Sequence, residues 1–231
     1  MKIKNPESRL NKFWGKVDDK HIFIISNFLI GKDILDMGCG NGTTTNYIAN
    51  LGFNCIGIDY DTNVIDYCKD RFPENHFQVA NAEQLPFKDG SFDTIILRDA
   101  LHHFYCEADF EKVKAEILRV SRQNARIIFF DPNIGPLIKF MRKIVGHTDE
   151  ECDFESAKKI IIAMGLKKIH HSFNTVFSLP LSGGYVGFNF VPNYNIIYDF
   201  ILKSEKIFEI IINKIGLGRY LCWRYLIIGE K

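Results

Sequence analysis

Three glycines and two acids raise the question of chemistry. In Ile34-Leu35-Asp36-Met37-Gly38-Cys39-Gly40-Asn41-Gly42 a short apolar run of strand type feeds a glycine-rich turn that opens a helix. Glycines at such a turn let the backbone take positive φ and let a ligand come within contact distance of the main chain. A dinucleotide fingerprint would place its third glycine at position 43, as G-x-G-x-x-G, but Thr43 stands there and the spacing is G-x-G-x-G. Asp36, two residues before the first glycine, would repel a pyrophosphate but can receive an ammonium group. That points away from NAD and towards a nucleotide bearing an amino acid. Asp59 closes the next apolar run, where a carboxylate can accept from both hydroxyls of a ribose. Dinucleotide enzymes share this acid, and a tight turn with a strand-terminal Asp and no ligand is the bland alternative.

The elements that must position these residues follow from periodicity. From Asp33 to about Pro132 short apolar runs alternate with amphipathic ones, the pattern of strands joined by crossover helices in a parallel sheet. Strands are expected over Ile34–Met37, Cys55–Asp59, His76–Ala80, Thr94–Arg98 and Arg126–Asp131, with helices over Thr43–Leu51, Thr62–Arg71 and Asp109–Ser121. Before the sheet, Glu7–Trp14 and Asp19–Ile30 read as two helices. After it come helices over Leu137–Val145 and Phe154–Met164, a strand over Lys167–Phe177, a Gly-rich aromatic segment over Ser182–Tyr194, an apolar helix over Ile196–Ile215 and a last strand over Cys222–Ile228.

Four segments taken together carry a resemblance. Ile34 to Gly42, Gly57-Ile58-Asp59-Tyr60-Asp61, Asn81-Ala82-Glu83-Gln84-Leu85-Pro86-Phe87 and Ser91-Phe92-Asp93-Thr94-Ile95-Ile96-Leu97 resemble, in order, the motifs of class I S-adenosylmethionine-dependent methyltransferases. They are most similar to the branch that methylates small molecules, including quinone and sterol precursors, and the resemblance covers roughly Asp33 to Asn133. It implies a doubly wound α/β fold with a seven-stranded sheet of order 3-2-1-4-5-7-6, the last strand antiparallel. It also implies that Asp36, Gly38, Cys39 and Gly40 cradle the methionine part of S-adenosylmethionine and that Asp59 holds the ribose. Tyr60 would lie against adenine, Asn81 and the Ala82 amide would read its edge, and Arg98 would complete the cofactor set. Two departures stand out: Asn81 replaces the usual Asp, and Gln123-Asn124-Ala125 replaces a Pro-Gly-Gly turn before the fifth strand.

Methyl transfer from a sulfonium is an in-line displacement, so a base is needed only where the acceptor is a hydroxyl or an acidic carbon. Open α/β sheets bind ligands at the carboxyl ends of their strands, which selects Arg98, Asp99, His102 and His103 after strand four and Asp131 and Asn133 after strand five. His103 is the first choice as base and Asp99 its companion, against the structural alternative of a His pair that merely opens a helix. His170 and His171 sit within a strand and read as structural, and His147 reads either as a cap on the site or as the start of a helix. The residues after strand four, Arg98-Asp99-Ala100-Leu101, differ from the Asn-Pro-Pro-Tyr type found in base methylators of nucleic acids.

Composition bounds the rest. A chain of 231 residues with 46% hydrophobic and 25% charged residues suits a single α/β domain: a helical cap over 1–32, a core over 33–177 and 219–231, and a lid-like insertion over 178–218. The net charge of +1 offers no global field for nucleic acid. The six cysteines are scattered without metal-ligand spacing and read as cytoplasmic thiols. No stretch reaches the roughly 20 apolar residues that span a bilayer. The Phe-, Tyr- and Ile-rich residues Leu179 to Leu217 would close over a small, apolar or lipid-like acceptor, or form a dimer surface. Lys203, Lys206 and Lys214 would also allow peripheral membrane contact, a signal diluted by Asp199, Glu205 and Glu209. The alternatives to methyl transfer are an NAD-type oxidoreductase on a Rossmann-like fold and a silent cofactor-binding module.

Overall fold

Apolar runs buried on both faces, each followed by a helix, build a parallel sheet because only crossover connections return the chain in the same direction. The structure, a computed structural model, describes residues 12–135, 139, 152–182 and 191–231. Its strands are β1 (Asp33–Met37), β2 (Asn54–Asp59), β3 (His76–Val79), β4 (Phe92–Arg98), β5 (Ser121–Pro132), β6 (Lys167–Asn174) and β7 (Arg224–Glu230). They form one sheet of order β3-β2-β1-β4-β5-β7-β6, as the resemblance implied. β1 pairs in parallel with β2 and β4, β2 with β3, and β4 with β5. The end of β7 runs back along the start of β5, where Asn124 N donates to Lys231 O at 3.2 Å and Lys231 N to Ala125 O at 3.0 Å.

The described helices are α1 (Lys12–Ser26), α2 (Thr43–Asn50), α3 (Thr62–Arg71), α4 (Leu101–Glu107), α5 (Phe110–Val120), α6 (Phe154–Ala163), α7 (Ser178–Leu181), α8 (Asn195–Lys214) and α9 (Gly218–Leu221). The chain divides into two compact units. One takes its described residues from 25–132, 152–171 and 226–231 and contains β1 to β5 with α2 to α6. Its centre is Ile34, Leu35, Ile95, Ile96, Leu97 and Ile127 to Phe130, all fully buried. The other takes its described residues from 12–24, 133–135, 139, 172–182 and 191–225. In it Phe13 stacks on Tyr198 at 4.8 Å, and Val17 and Val191 join that cluster.

Three expectations change. The two N-terminal helices are one where described: α1 runs unbroken through Gly15 to Asp18, because Phe13 and Val17 bury against α8 and packing outweighs the local charge and glycine. β5 begins five residues before the expected Arg126. Asn124 holds φ at 64°, which Asn tolerates better than most residues, so it performs the turn without glycine. β6 ends at Asn174 rather than Phe177, where Thr175 takes φ 65°. The expected helix over Leu137–Val145, His147 and most of the Gly-rich segment lie outside the described residues.

Candidate active site

The glycine turn is packed from beneath and open at one point. Gly38, Gly40 and Gly42 have φ of 77°, 51° and 75°, a region that penalises any side chain. Gly38 N and Cys39 N both donate to Ile58 O, at 2.9 and 2.8 Å, which ties the turn to β2. A Cβ on Gly38 would lie 2.9 Å from Ala100 Cβ, and one on Gly42 would lie 2.9 Å from Cys68 Sγ. At Gly40 a Cβ would meet nothing within 4 Å. Gly57 supports the turn from β2, because a Cβ there would stand 2.5 Å from Thr45 Oγ1 and 2.8 Å from the Phe77 ring.

Asp36 lies under the turn, 1% exposed, and accepts a 2.6 Å hydrogen bond from Thr45 Oγ1. Burial pushes its carboxyl up to about 6, against the pull of Thr45 and of the Arg98 guanidinium. Arg98 donates to Thr44 Oγ1 at 2.9 Å, so two threonines at the start of α2 link β1 and β4. Their role is not evident from sequence; the available signal is a small polar pair on the inward side of the helix after a glycine turn. Cys39 puts its side chain in a cluster with Val64, Ile65, Cys68 and Phe77. Its hydrogen bond with Cys68 and its burial push the thiol well up, so it stays protonated. The Cys39 thiol and N–H are thus both committed within the protein.

Asp59 is held in place by backbone donors. Oδ2 accepts from Gly40 N at 3.2 Å and Oδ1 from Asp61 N at 3.1 Å. Tyr60, next along, is 77% exposed. Asn81 is exposed and its Oδ1 accepts from Glu83 N at 2.9 Å, forming an Asx turn, while Ala82 is buried. The turn after it is pinned from α5: Glu116 accepts from Leu85 N at 2.6 Å, and Arg119 donates to Leu85 O at 3.0 Å and Phe87 O at 2.7 Å. Val79 pairs with Asp59 across β3 and β2, and Asp36 with Gly57 across β1 and β2. These residues therefore gather at the carboxyl ends of adjacent strands.

The ends of β4 and β5 meet at Asp131, which is fully buried. Its carboxylate accepts from Ala100 N at 3.1 Å and His102 N at 3.0 Å, capping α4, and stands 3.2 Å from His102 Nδ1. A carboxylate bonded at Nδ1 fixes an imidazole's tautomer and orientation and raises its basicity. His103 is exposed, its ring centroid 4.3 Å from that of His102. Asp99 takes φ 54°, unusual outside glycine, and donates N–H to Phe130 O at 3.0 Å; the carboxylate lies 3.8 Å from Arg98 Nε. Asn133 belongs to the other unit, where it donates to the carbonyls of Arg219 and Cys222. His170 and His171 stack on Phe28 and pack on Phe154, as structural residues do, and burial lowers both below the usual imidazole value.

Residues 35–129 match a family model described as a methyltransferase domain. Over 119 residues the chain is 36% identical to the uncharacterized methyltransferase YcgJ of Bacillus subtilis, covering 49% of this chain and 46% of that one. It is 29% identical over 109 residues to a demethylmenaquinone methyltransferase of Renibacterium salmoninarum, covering 46% of this chain and 45% of that protein. The chain thus spans less than half the length of the curated relatives it matches. The fold superposes on a SAM-dependent methyltransferase from Archaeoglobus fulgidus with a TM-score of 0.65 at 18% identity, covering 94% of each chain. Residues 35–129 of this chain thus match a methyltransferase domain, set in a fold shared with SAM-dependent methyltransferases.

Proposed function

We propose that this chain transfers a methyl group from S-adenosylmethionine to a small, apolar or lipid-like acceptor. The observation that carries the proposal is the contrast along the glycine turn: Gly38 and Gly42 are closed in by neighbours, whereas Gly40 opens on space and its N–H is shared with the ribose-binding candidate Asp59. The residues fit the cofactor. Gly38 and Gly40 would hold its methionine part, with Asp36 and Arg98 setting the charge beneath and Cys39 contributing to the turn rather than a side-chain contact. Asp59 would accept from the ribose, Tyr60 offers an exposed ring to adenine, and Asn81 and Ala82 would read the adenine edge. When bound, the cofactor supplies an electrophilic methyl group on a sulfonium.

The protein's own task is alignment, which can contribute about 7 to 11 kcal/mol, and where the acceptor carries a proton, its removal. The His102–Asp131 pair supports a base at His102: with Nδ1 held by the carboxylate, Nε2 is the nitrogen that takes a proton from a hydroxyl or acidic carbon. His103 and Asp99 stand beside that pair and would line the acceptor side. An apolar acceptor is supported by the aromatic and aliphatic content of 178–218 and by the demethylmenaquinone relative. The G-x-G-x-G spacing and the family match favour this reading over an NAD-type oxidoreductase. Titration calorimetry of the full chain with S-adenosylmethionine, S-adenosylhomocysteine and NAD tests it. The first two should bind at one site per chain and NAD should not; binding of NAD alone would overturn the proposal.

A further inference from the structure

Helix α8 carries apolar residues on its outward face as well as on its inward one, where Ile197, Tyr198, Ile201 and Leu202 pack on the Phe13 cluster. A surface helix ordinarily turns its apolar stripe inward and its charges to water. In α8 the buried residues are Tyr198, Glu205, Glu209 and Ile212, whereas Ile196, Phe200, Ile207, Ile210 and Ile211 are between 50% and 80% exposed. The spacing puts positions 196, 200, 203, 207, 210, 211 and 214 on one face and 198, 205, 209 and 212 on the opposite one. Lys203 and Lys214 therefore share the exposed apolar face and Lys206 flanks it, all three exposed.

The acids of the helix do not offset those lysines. Glu205 Oε2 and Glu209 Oε1 receive Lys20 Nζ at 2.6 and 2.7 Å. Glu205 also accepts from the N–H groups of Val176, Phe177 and Ser178, each at 2.8 Å, and Glu209 accepts from Thr175 N. Asp199 is bound to Lys16 at 2.6 Å. Every acid on α8 is thus engaged by a lysine of α1, the two glutamates sharing Lys20, and the outward face presents isoleucines, a phenylalanine and two lysines with Lys206 at its edge.

We infer that this face docks on an anionic lipid surface, with α8 lying in the plane of the interface. An apolar face edged by lysines is what such a surface takes up: the side chains enter the headgroup boundary and the ammonium groups meet lipid phosphates. Among the described residues no helix is long and apolar enough to cross a membrane, and α8, about 30 Å long, fits the surface instead. A second copy of the chain would set lysines against lysines, with the acids that could answer them already committed.

The inference does not rest on the methyltransferase reading, because vesicle binding needs no turnover. The full chain is sedimented with vesicles of phosphatidylcholine alone and with added phosphatidylglycerol. Binding should require phosphatidylglycerol, fall at high salt, and weaken on the order of 100-fold in a Lys203→Gln, Lys206→Gln, Lys214→Gln variant. Ile207→Glu with Ile211→Glu should abolish it, while the unfolding transition stays unchanged because both positions are exposed. Absence of pelleting, equal binding to neutral vesicles, or equal binding by the variants would overturn it. So would a stable dimer that dissociates on Ile207→Glu with Ile211→Glu and ignores vesicles, which would make a second copy the occupant.

Discussion

The imidazole of His102 stands 3.2 Å from the buried carboxylate of Asp131, contributed by the neighbouring strand β5, and the same carboxylate caps the helix that carries the imidazole. Orientation of the ring and position of α4 are therefore set by one group. His102→Gln should lower the rate of methyl transfer by about 10²- to 10⁴-fold with cofactor affinity unchanged, and His103→Gln should have a small effect. Turnover of both variants, with calorimetric cofactor affinities alongside, checks the assignment; a fully active His102→Gln would remove the base.

Asp36 should weaken the fold that it serves. Its carboxyl is raised in the native state to about 6 from an ordinary value near 3.8. Between those values the folded protein binds more protons than the unfolded one, so stability from this group falls as pH rises from about 4 to 6 and stays lost above. The loss is about 2 to 3 kcal/mol. Asp36→Asn, which can still accept from Thr45, should be more stable than the parent at pH 7 and equal to it below about pH 4, while binding cofactor less tightly. Urea unfolding at the two pH values reads the sign directly.

Gly40 and Gly57 should separate binding from folding. Gly40→Ala adds a methyl to open space at φ 51°, costing about 1 kcal/mol in backbone strain, and should chiefly reduce cofactor affinity. Gly57→Ala forces a Cβ against Thr45 Oγ1 and the Phe77 ring and should destabilise by about 1 to 3 kcal/mol. Thermal unfolding and calorimetry on each variant would show whether the two losses dissociate in this way.

Lys20→Met should be among the most damaging substitutions within its own unit. Its side chain is 14% exposed, and those of Glu205 and Glu209 are 0% and 9% exposed. Burial alone would lower the lysine, but its two carboxylates outweigh that and raise it, while burial raises Glu209. Removing one member of a buried charge set leaves the rest uncompensated, at about 3 to 5 kcal/mol. A loss below 1 kcal/mol in urea unfolding would show that Lys20 is not holding α8. The same contacts make removal of 178–218 unsuitable as a test of a lid, because it would strip Lys20 and the Thr175–Ser178 turn of their partners.

Sequence was most informative where local chemistry determines structure. Helix α3 occupies Thr62–Arg71 as read, because Asp61 caps it through Asn63 N and Lys69 and Arg71 fill its last turn. The glycine turn and the strand end at Asp59 were legible from spacing alone. What long-range contacts decide was not. The cap of α4 comes from Asp131, 31 residues from Ala100, so no neighbouring residue signals the contact on which the proposal of His102 rests. Glu205 and Glu209 read as surface charges of a lysine-bearing helix, and only their pairing with Lys20, more than 180 residues away, turns them inward and leaves the isoleucines outside.

The central claim is methyl transfer itself, and the most direct test is transfer of label from methyl-labelled S-adenosylmethionine into a lipid and metabolite extract. The account predicts that the full chain labels an organic-extractable product. It also predicts that Asp59→Ala, which loses charge-assisted bonds of about 1.5 to 3 kcal/mol each, labels it only at much higher cofactor concentration. Cofactor that binds tightly while no extract component acquires label would contradict the claim and leave a silent cofactor-binding module.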